Sequence, residues 1–199
     1  MKQALKIIVF LCCITTFLQA QPKNYVEKIK AYQKAYVKAH EVVLKKDKKY
    51  FRFFPVNENY RVVAHFNKMT DTVGFIMKTS GTKDKKFFRH GTIHFTLNDS
   101  VLQLTIYRSG ELMTDSTYKD YLFMPFTDFT SGEESYAGGR YLDLETNDIK
   151  NDLVVIDFNK VYNPYCAYTT GYNCPIPPGE NDLPAAIKAG EKEFGKKSH

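Results

Sequence analysis

The stretch that decides the fold is "FFRHGTIHFTLNDSVLQLTIY", Phe87–Tyr107. Two runs rich in β-branched and aromatic residues flank a short polar segment, Asn98–Ser100. Alternate positions of both runs are apolar and would share one face of a strand: Ile93, Phe95, Leu97, Leu102, Leu104 and Ile106. Such alternation around a polar turn is typical of an antiparallel β-hairpin.

Further strands are predicted on both sides of this hairpin. Tyr60–Phe66 and Asp71–Thr79 are expected to form a second hairpin across Asn67–Thr70. Arg140–Glu145 alternates again, with Tyr141 on the face opposite its leucines. Asp152–Phe158 is continuously apolar, which predicts a central strand covered on both sides. Because short turns rather than crossover helices join these runs, the sheet should be antiparallel.

One helix is predicted before the strands and one after them. Apolar residues recur at helical spacing through residues 24–49, the expected N-terminal amphipathic helix. Leu183–Phe194 predicts a short C-terminal helix after a proline-rich loop. The expected fold class is α+β, a mostly antiparallel β-sheet curled toward a barrel or sandwich. Its β core spans about 53–158, followed by the loop and C-terminal helix at 159–195.

The first twenty residues are typical of a secretory signal peptide. "MKQALK" is basic, "IIVFLCCITTFL" carries no charge, and small Ala20 precedes Gln21. The apolar run is too short to span a bilayer, and no later stretch is long enough. We expect residues 1–20 to be removed, leaving one domain at 21–199 that is periplasmic or extracellular.

The charge and the motifs of the chain exclude several classes of function. The formal net charge of +6 falls by two when Lys2 and Lys6 are removed, and such a mild excess does not predict nucleic-acid binding. His90 and His94 lie in a predicted strand, where residues four apart are about 13 Å apart, too far to share a metal. The sequence predicts no metal site and no cofactor.

Acidic residues are dense around Arg140. Asp143 and Glu145 share one strand face, and Asp157 ends the last apolar strand. A buried Asp157 would need a partner, and Arg140 is the predicted one, as an internal salt bridge. The alternative is a carboxylate with a shifted pKa that acts as a base or metal ligand. The candidates for that role are Asp143, Asp157 and Glu180.

The segment Asp157–Asn181, "DFNKVYNPYCAYTTGYNCPIPPGEN", combines prolines, tyrosines, asparagines and two cysteines. We call its part from Asn159 to Asn181 the signature loop. Cys166 and Cys174 survive removal of the signal peptide, and an even pair in an exported protein predicts a disulfide. A metal site or a nucleophilic thiol is the alternative. The residues expected to contact a ligand are Gly139, Arg140, Tyr141, Asn159, Tyr162, Asn163, Tyr165 and Asn181.

Three stretches resemble the family called domain of unknown function 1684: "FFPVNENYRVVAHF", "PFTDFTSGEESYAGGRYLDLE" and "IDFNKVYNPYCAYTTGYNCPIPPGENDLPAAIKAGEK". The resemblance covers roughly residues 50–194. It implies that the signature loop and the motif around Arg140 are family features, and it implies no reaction.

Three functions remain open at this point. The first is a binding module for an unknown small molecule, with a pocket lined by Arg140, Tyr141, Tyr162 and Tyr165. The second is a hydrolase-like enzyme that uses carboxylates near Arg140 and Asp157, with or without a metal. The third is a structural protein of the cell envelope, in which the signature loop only fastens the fold.

Overall fold

The computed structural model describes residues 23–196, so the predicted signal peptide lies outside the described residues. One α-helix precedes seven strands: α1 Lys23–Ala39, β1 Arg61–Lys68, β2 Phe75–Met77, β3 Lys85–Leu97, β4 Ser100–Ser109, β5 Tyr121–Phe126, β6 Arg140–Glu145 and β7 Leu153–Asp157. The strands form one antiparallel sheet in the order β6-β5-β4-β3-β1-β7, with β2 paired to β3. The sheet curls into a half-barrel, which confirms the predicted α+β class.

The hairpin of β3 and β4 forms as its alternation predicts. Leu97 pairs with Ser100, so the turn consists of Asn98 and Asp99. Both turn residues have positive φ, 48° and 62°, the backbone that two-residue hairpin turns require and that Asn and Asp tolerate.

A one-residue bulge in β3 sends side chains of this strand to both faces of the sheet. The β3–β4 register shifts between Arg89 and Gly91. Beyond the bulge, Ile93 and the other predicted core residues pack in one large cluster. Before the bulge, Phe87 lies an even number of residues from Ile93, so regular alternation would put both side chains on one face. Phe87 instead packs in a separate cluster on the opposite face. The extra residue reverses the direction in which alternate side chains point.

The two faces are covered by different parts of the chain. The larger cluster is closed by residues after the signature loop, including Leu183, Ile187 and Ala189. The smaller cluster consists of Met77, Phe87, Tyr107, Phe123 and Tyr141, with Tyr121 and Tyr162 packed against it.

Both helix predictions need correction. Helix α1 ends at Ala39 rather than near residue 49, and Lys45–Tyr50 forms a separate 3-10 turn. Residues 183–194 contain no helix. Their backbone N–H groups bond to distant segments instead, as when Glu191 donates to Val161 at 3.0 Å and Lys192 donates to Arg52 at 2.9 Å. These tertiary hydrogen bonds satisfy the backbone without a helix.

Two strand predictions are also wrong. The strand β1 pairs with β3 and β7, not with β2. Asp71 accepts hydrogen bonds from the backbone of Gly74 and of Arg89, which turns the chain toward β3. The strand β7 is at the sheet edge rather than its centre, and its Leu153 and Val155 are exposed. No helix among residues 23–196 is long and apolar enough to cross a membrane.

Candidate functional site

A cleft of about 870 Å³ lies on the face of the smaller cluster, between the sheet, the end of α1 and the signature loop. We call it the tyrosine cleft. It is lined by Tyr32, Tyr36, Ala39, His40, Glu41, Lys83, Lys85, Phe87, Ser109, Glu111, Leu112, Tyr121, Phe123, Tyr141, Asp143, Tyr162, Pro164, Tyr165, Gly171, Tyr172, Asn173, Cys174 and Pro175.

Aromatic rings from neighbouring strands form the floor of the cleft. The rings of Phe87 and Phe123 stack with centroids 5.6 Å apart, and Tyr141 meets Phe123 edge-on at 4.8 Å. The Tyr141 hydroxyl donates to the carbonyl of Pro175, which ties the floor to the signature loop. The floor is therefore rigid and mostly apolar.

A carboxylate lies among these rings. Asp143 is opposite Phe123 in the register of β5 and β6. The hydroxyls of Tyr121 and Tyr162 both donate to its Oδ1 at 2.8 Å. Asp143 is exposed to the cleft, and the surrounding rings displace only part of the water around its carboxylate. This desolvation raises the pKa of Asp143, and the two hydrogen bonds oppose the rise only in part.

The end of α1 forms one wall with Tyr36 and with His40, the residue that follows the helix. The His40 side chain is enclosed by rings, including Tyr168 at 4.5 Å and Phe51 at 4.9 Å. Neither ring nitrogen of this buried residue has a hydrogen-bond partner in the described part of the chain. Burial and the charge of Lys48 lower the pKa of His40 to about 4, so the ring is neutral near pH 7.

Behind this wall lies a fully buried carboxylate, Glu191. It accepts hydrogen bonds from Tyr168 at 2.7 Å, from the Asn163 backbone at 3.0 Å and from Tyr36 at 3.2 Å. Desolvation raises the pKa of Glu191 to about 7, although these hydrogen bonds act in the other direction. The network fixes α1 against the signature loop.

The signature loop forms the opposite wall. Cys166 and Cys174 are joined by a disulfide, with their Cα atoms 6.3 Å apart. Tyr165 and Tyr172 pack edge-on at 5.1 Å beside it. The Ser80 backbone N–H donates to the carbonyl of Cys174, so the loop is also fastened to the segment after β2.

The predicted pair of Arg140 and Asp157 is wrong. Arg140 is fully buried on the other side of the sheet, where its Nη2 lies 3.1 Å from Asp128. It also donates to the carbonyls of Ile187, Ala189 and Glu191. Arg140 thus fastens the C-terminal segment to the sheet and is not among the residues that line the cleft.

The other predicted acids are bound within the fold. Asp157 accepts hydrogen bonds from Tyr25 and Asn159. Glu180 forms a two-pronged ion pair with Arg89 and accepts from Tyr107 at 2.7 Å. Of the three catalytic candidates, only Asp143 lines the cleft.

The three predicted asparagines are buried and bridge chain segments. Asn159 bonds both to Asp157 and to the backbone of Asn57. Asn181 joins Thr105 and Pro125, and Asn163 donates to Lys192.

Gly139 is conformationally required. Its φ is +84°, and a Cβ would lie 2.6 Å from the Cγ of Pro177. Among the residues predicted to bind ligand, Tyr141, Tyr162 and Tyr165 line the cleft. A ligand-binding role stays a prediction for all eight.

Sequence reasoning missed the contribution of the helix and of the strand ends. Tyr32 and Tyr36 belong to the apolar stripe of the predicted N-terminal helix, a pattern that predicts packing on a core, and Tyr121 stands in no motif. Only the excess of tyrosine, 14 residues in the chain, pointed toward them. Within residues 23–196 no group of three or more His, Cys, Asp or Glu residues is arranged to hold a metal ion.

Comparisons with known proteins agree with this fold. The sequence profile described as Protein of unknown function (DUF1684) matches residues 46–192. A solution NMR structure of an uncharacterised protein from Haloarcula marismortui is similar, with a TM-score of 0.64 and 27% sequence identity. The match covers 85% of this chain and 94% of that one. No curated protein matches the chain.

Proposed function

The chain belongs to the DUF1684 family of proteins of unknown function, and we propose that it is a small-ligand-binding module whose ligand occupies the tyrosine cleft. The observation that carries the proposal is the cleft of about 870 Å³, with an aromatic floor and an accessible carboxylate, Asp143, among the rings. Small-molecule sites are typically clefts of about 300–1,000 Å³, mostly apolar, with few polar groups that orient the ligand.

The walls of the cleft support the proposal because several separate contacts hold them in place. The disulfide of Cys166 and Cys174 closes one wall. The hydrogen bonds of Tyr36 and Tyr168 to Glu191 hold the other. A site that is already formed does not lose binding energy in ordering its walls.

A fragment screen by protein-observed NMR tests the proposal. We expect ligands to shift amide signals of β5, β6 and the signature loop together. Ala39→Trp adds a large ring to the lining of the cleft and should abolish these shifts. Ala31→Trp is the matched control, since Ala31 is exposed on the same helix and does not line the cleft. Shifts that survive Ala39→Trp, or that fall elsewhere on the sheet, would place the ligand outside the cleft.

Export is part of the same proposal. A signal peptide ending at Ala20 and the disulfide in the signature loop fit an oxidising compartment. The intact mass of protein purified from its host should lack residues 1–20 and should increase by two hydrogen atoms on reduction. A mass that retains these residues would contradict cleavage.

One observation favours a second candidate, a hydrolase-like enzyme. Asp143 combines access from the cleft with a raised pKa, the combination that general bases show. Purified protein would then turn over generic ester, phosphate or glycoside substrates, and Asp143→Asn would abolish the turnover. Ligand binding without turnover would favour the binding module.

A further inference from the structure

We propose that the ligand of the tyrosine cleft is an organic cation, an ammonium or guanidinium group on an apolar body, whose charged end lies against Asp143. This inference rests on the proposed function and adds the chemical class of the ligand. It is carried by the hydrogen bonds, the charges and the rings around Asp143.

The hydrogen bonds to the Asp143 carboxylate leave acceptor atoms available to a ligand in the cleft. The hydroxyls of Tyr121 and Tyr162 both donate their hydrogen bonds to the same oxygen, Oδ1 of Asp143. No residue in the described chain donates to Oδ2. The carboxylate and the hydroxyl lone pairs therefore offer acceptors, and the matching ligand group is a donor.

The lining carries three acids, Glu41, Glu111 and Asp143, against two lysines, Lys83 and Lys85, and this negative balance favours a positive ligand. No lysine or arginine within residues 23–196 forms an ion pair with Asp143. The Nζ of Lys85, which also lines the cleft, lies 3.6 Å from Oε2 of Glu111 and is paired with that carboxylate. An anion placed beside Asp143 would meet a like charge without an ion-pair partner, next to rings that displace part of the water, where the repulsion is stronger than in bulk solvent.

The rings around the carboxylate supply the second attraction. Tyr121 and Tyr162 touch Asp143, the ring of Tyr141 lies 5.9 Å from that of Tyr162, and Phe123 is the cross-strand neighbour. Faces of aromatic rings attract cations, and the attraction grows as water is removed. The floor of Phe87 and Phe123 accommodates the apolar body of the ligand.

The test uses three probes of matched shape: 2-phenylethylammonium, 2-phenylethanol and 3-phenylpropanoate. Affinities are measured by NMR titration of the amides of β5, β6 and the signature loop. The ammonium should bind at least about tenfold more tightly than the alcohol, as an ion pair near the protein surface, partly shielded from water, implies, and the carboxylate should not bind. Asp143→Asn should remove the advantage of the ammonium and leave the affinity for the alcohol unchanged.

Tyr118→Phe is the control, because Tyr118 is exposed and outside the cleft. If the alcohol binds in the cleft as tightly as the ammonium, or if Asp143→Asn leaves the ammonium affinity unchanged, the cation proposal is wrong and the binding function stands. If none of the probes binds but other fragments do, the proposed class is also wrong. If no fragment of any class binds in the cleft, both proposals fail.

Discussion

Arg140 shows how one buried side chain can organise two segments of this chain. Its guanidinium is paired with Asp128 and surrounded by the carbonyls of Ile187, Ala189 and Glu191. The rings of Phe54 and Phe126 lie within 5.7 Å of it. A planar group with several donors satisfies all these acceptors at once, which an ammonium group cannot do.

Replacing Arg140 should therefore cost stability. We expect Arg140→Lys to lower the free energy of unfolding by about 3 kcal/mol or more, because it leaves buried acceptors and Asp128 without full partners. Urea denaturation measures the loss. Arg89→Lys is the control, since its ion pair with Glu180 is partly exposed and should cost about 1 kcal/mol or less. Equal losses in the two variants would contradict the role assigned to Arg140.

The buried residues His40 and Glu191 should give stability opposite dependences on pH. The pKa of His40 is lowered from 6.5 to about 4, so the unfolded chain binds more protons in that range and stability rises with pH. The pKa of Glu191 is raised from 4.5 to about 7, so the folded chain binds more protons and stability falls as pH rises. The two slopes offset each other where the ranges overlap. The facing hydroxyls of Tyr36 and Tyr168 stay neutral there, because burial raises the pKa of each.

Replacing either residue should reveal the pH dependence of stability that the other contributes. For Glu191→Gln, the stability relative to wild type should rise by about 1.4 kcal/mol per pH unit between the unfolded and folded pKa values. For His40→Phe, the relative stability should fall with pH over the range of the histidine. Urea denaturation across the pH series measures both differences. A difference from wild type that stays constant with pH would show that the group does not titrate in this way.

At the scale of elements, the bulge in β3 decides which side chains reach the cleft. The shift between Arg89 and Gly91 puts Phe87 on the cleft floor and Ile93 in the larger core. Gly91 leaves room for the Phe66 side chain of the neighbouring strand β1, because a Cβ there would lie 2.3 Å from the ring of Phe66.

Gly91→Ala should disturb the packing of Phe66 against β3. We expect a loss of about 1–3 kcal/mol in the free energy of unfolding, typical of overpacking. Gly179→Ala is the matched control, because no atom of residues 23–196 lies within 4 Å of its added Cβ. Thermal or urea denaturation compares the two, and a loss no larger than that of the control would mean that the Phe66 ring moves aside freely.

The disulfide acts on a second element, the signature loop. Cys166→Ala with Cys174→Ala should cost about 2–3 kcal/mol of stability, the entropy of leaving so short a loop open in the unfolded chain. Hydrogen exchange should show loss of protection at the amides of Ser80 and Ile176, which bond to Cys174 and Lys78. Amides of the β5–β6 hairpin should keep their protection. Uniform loss in both regions would mean that the loop does not open separately.

At the scale of the whole molecule, one sheet serves two purposes because both its faces are packed. The larger face builds the core with the C-terminal segment. The smaller face carries the aromatic floor on which α1 and the signature loop rest, leaving the cleft between them. The sheet thus presents Asp143 from a rigid strand rather than from a loop, which suits the precise orientation of a ligand.

The prediction from sequence succeeded where neighbours in the chain decide the outcome. Alternation placed Tyr141 opposite Leu142 and Leu144, and both the β3–β4 hairpin and the disulfide formed as expected. The prediction failed for the end of α1 and for the C-terminal helix, where hydrogen bonds to distant segments outweigh local helix propensity. Of the candidate site, the tyrosines of the signature loop were anticipated and those of α1 were not.

The sequence by itself determined the β-rich class, the central hairpin with its polar turn within Asn98–Ser100, the cysteine pair and the family. These depend on spacing and on residue type within short stretches. The tertiary structure alone decided that Arg140 meets Asp128, that β1 lies between β3 and β7, and that Tyr32 faces the same cleft as Asp143. These arrangements depend on strand pairing, on the packing of α1 and on the path of the loops, which spacing within short stretches does not specify.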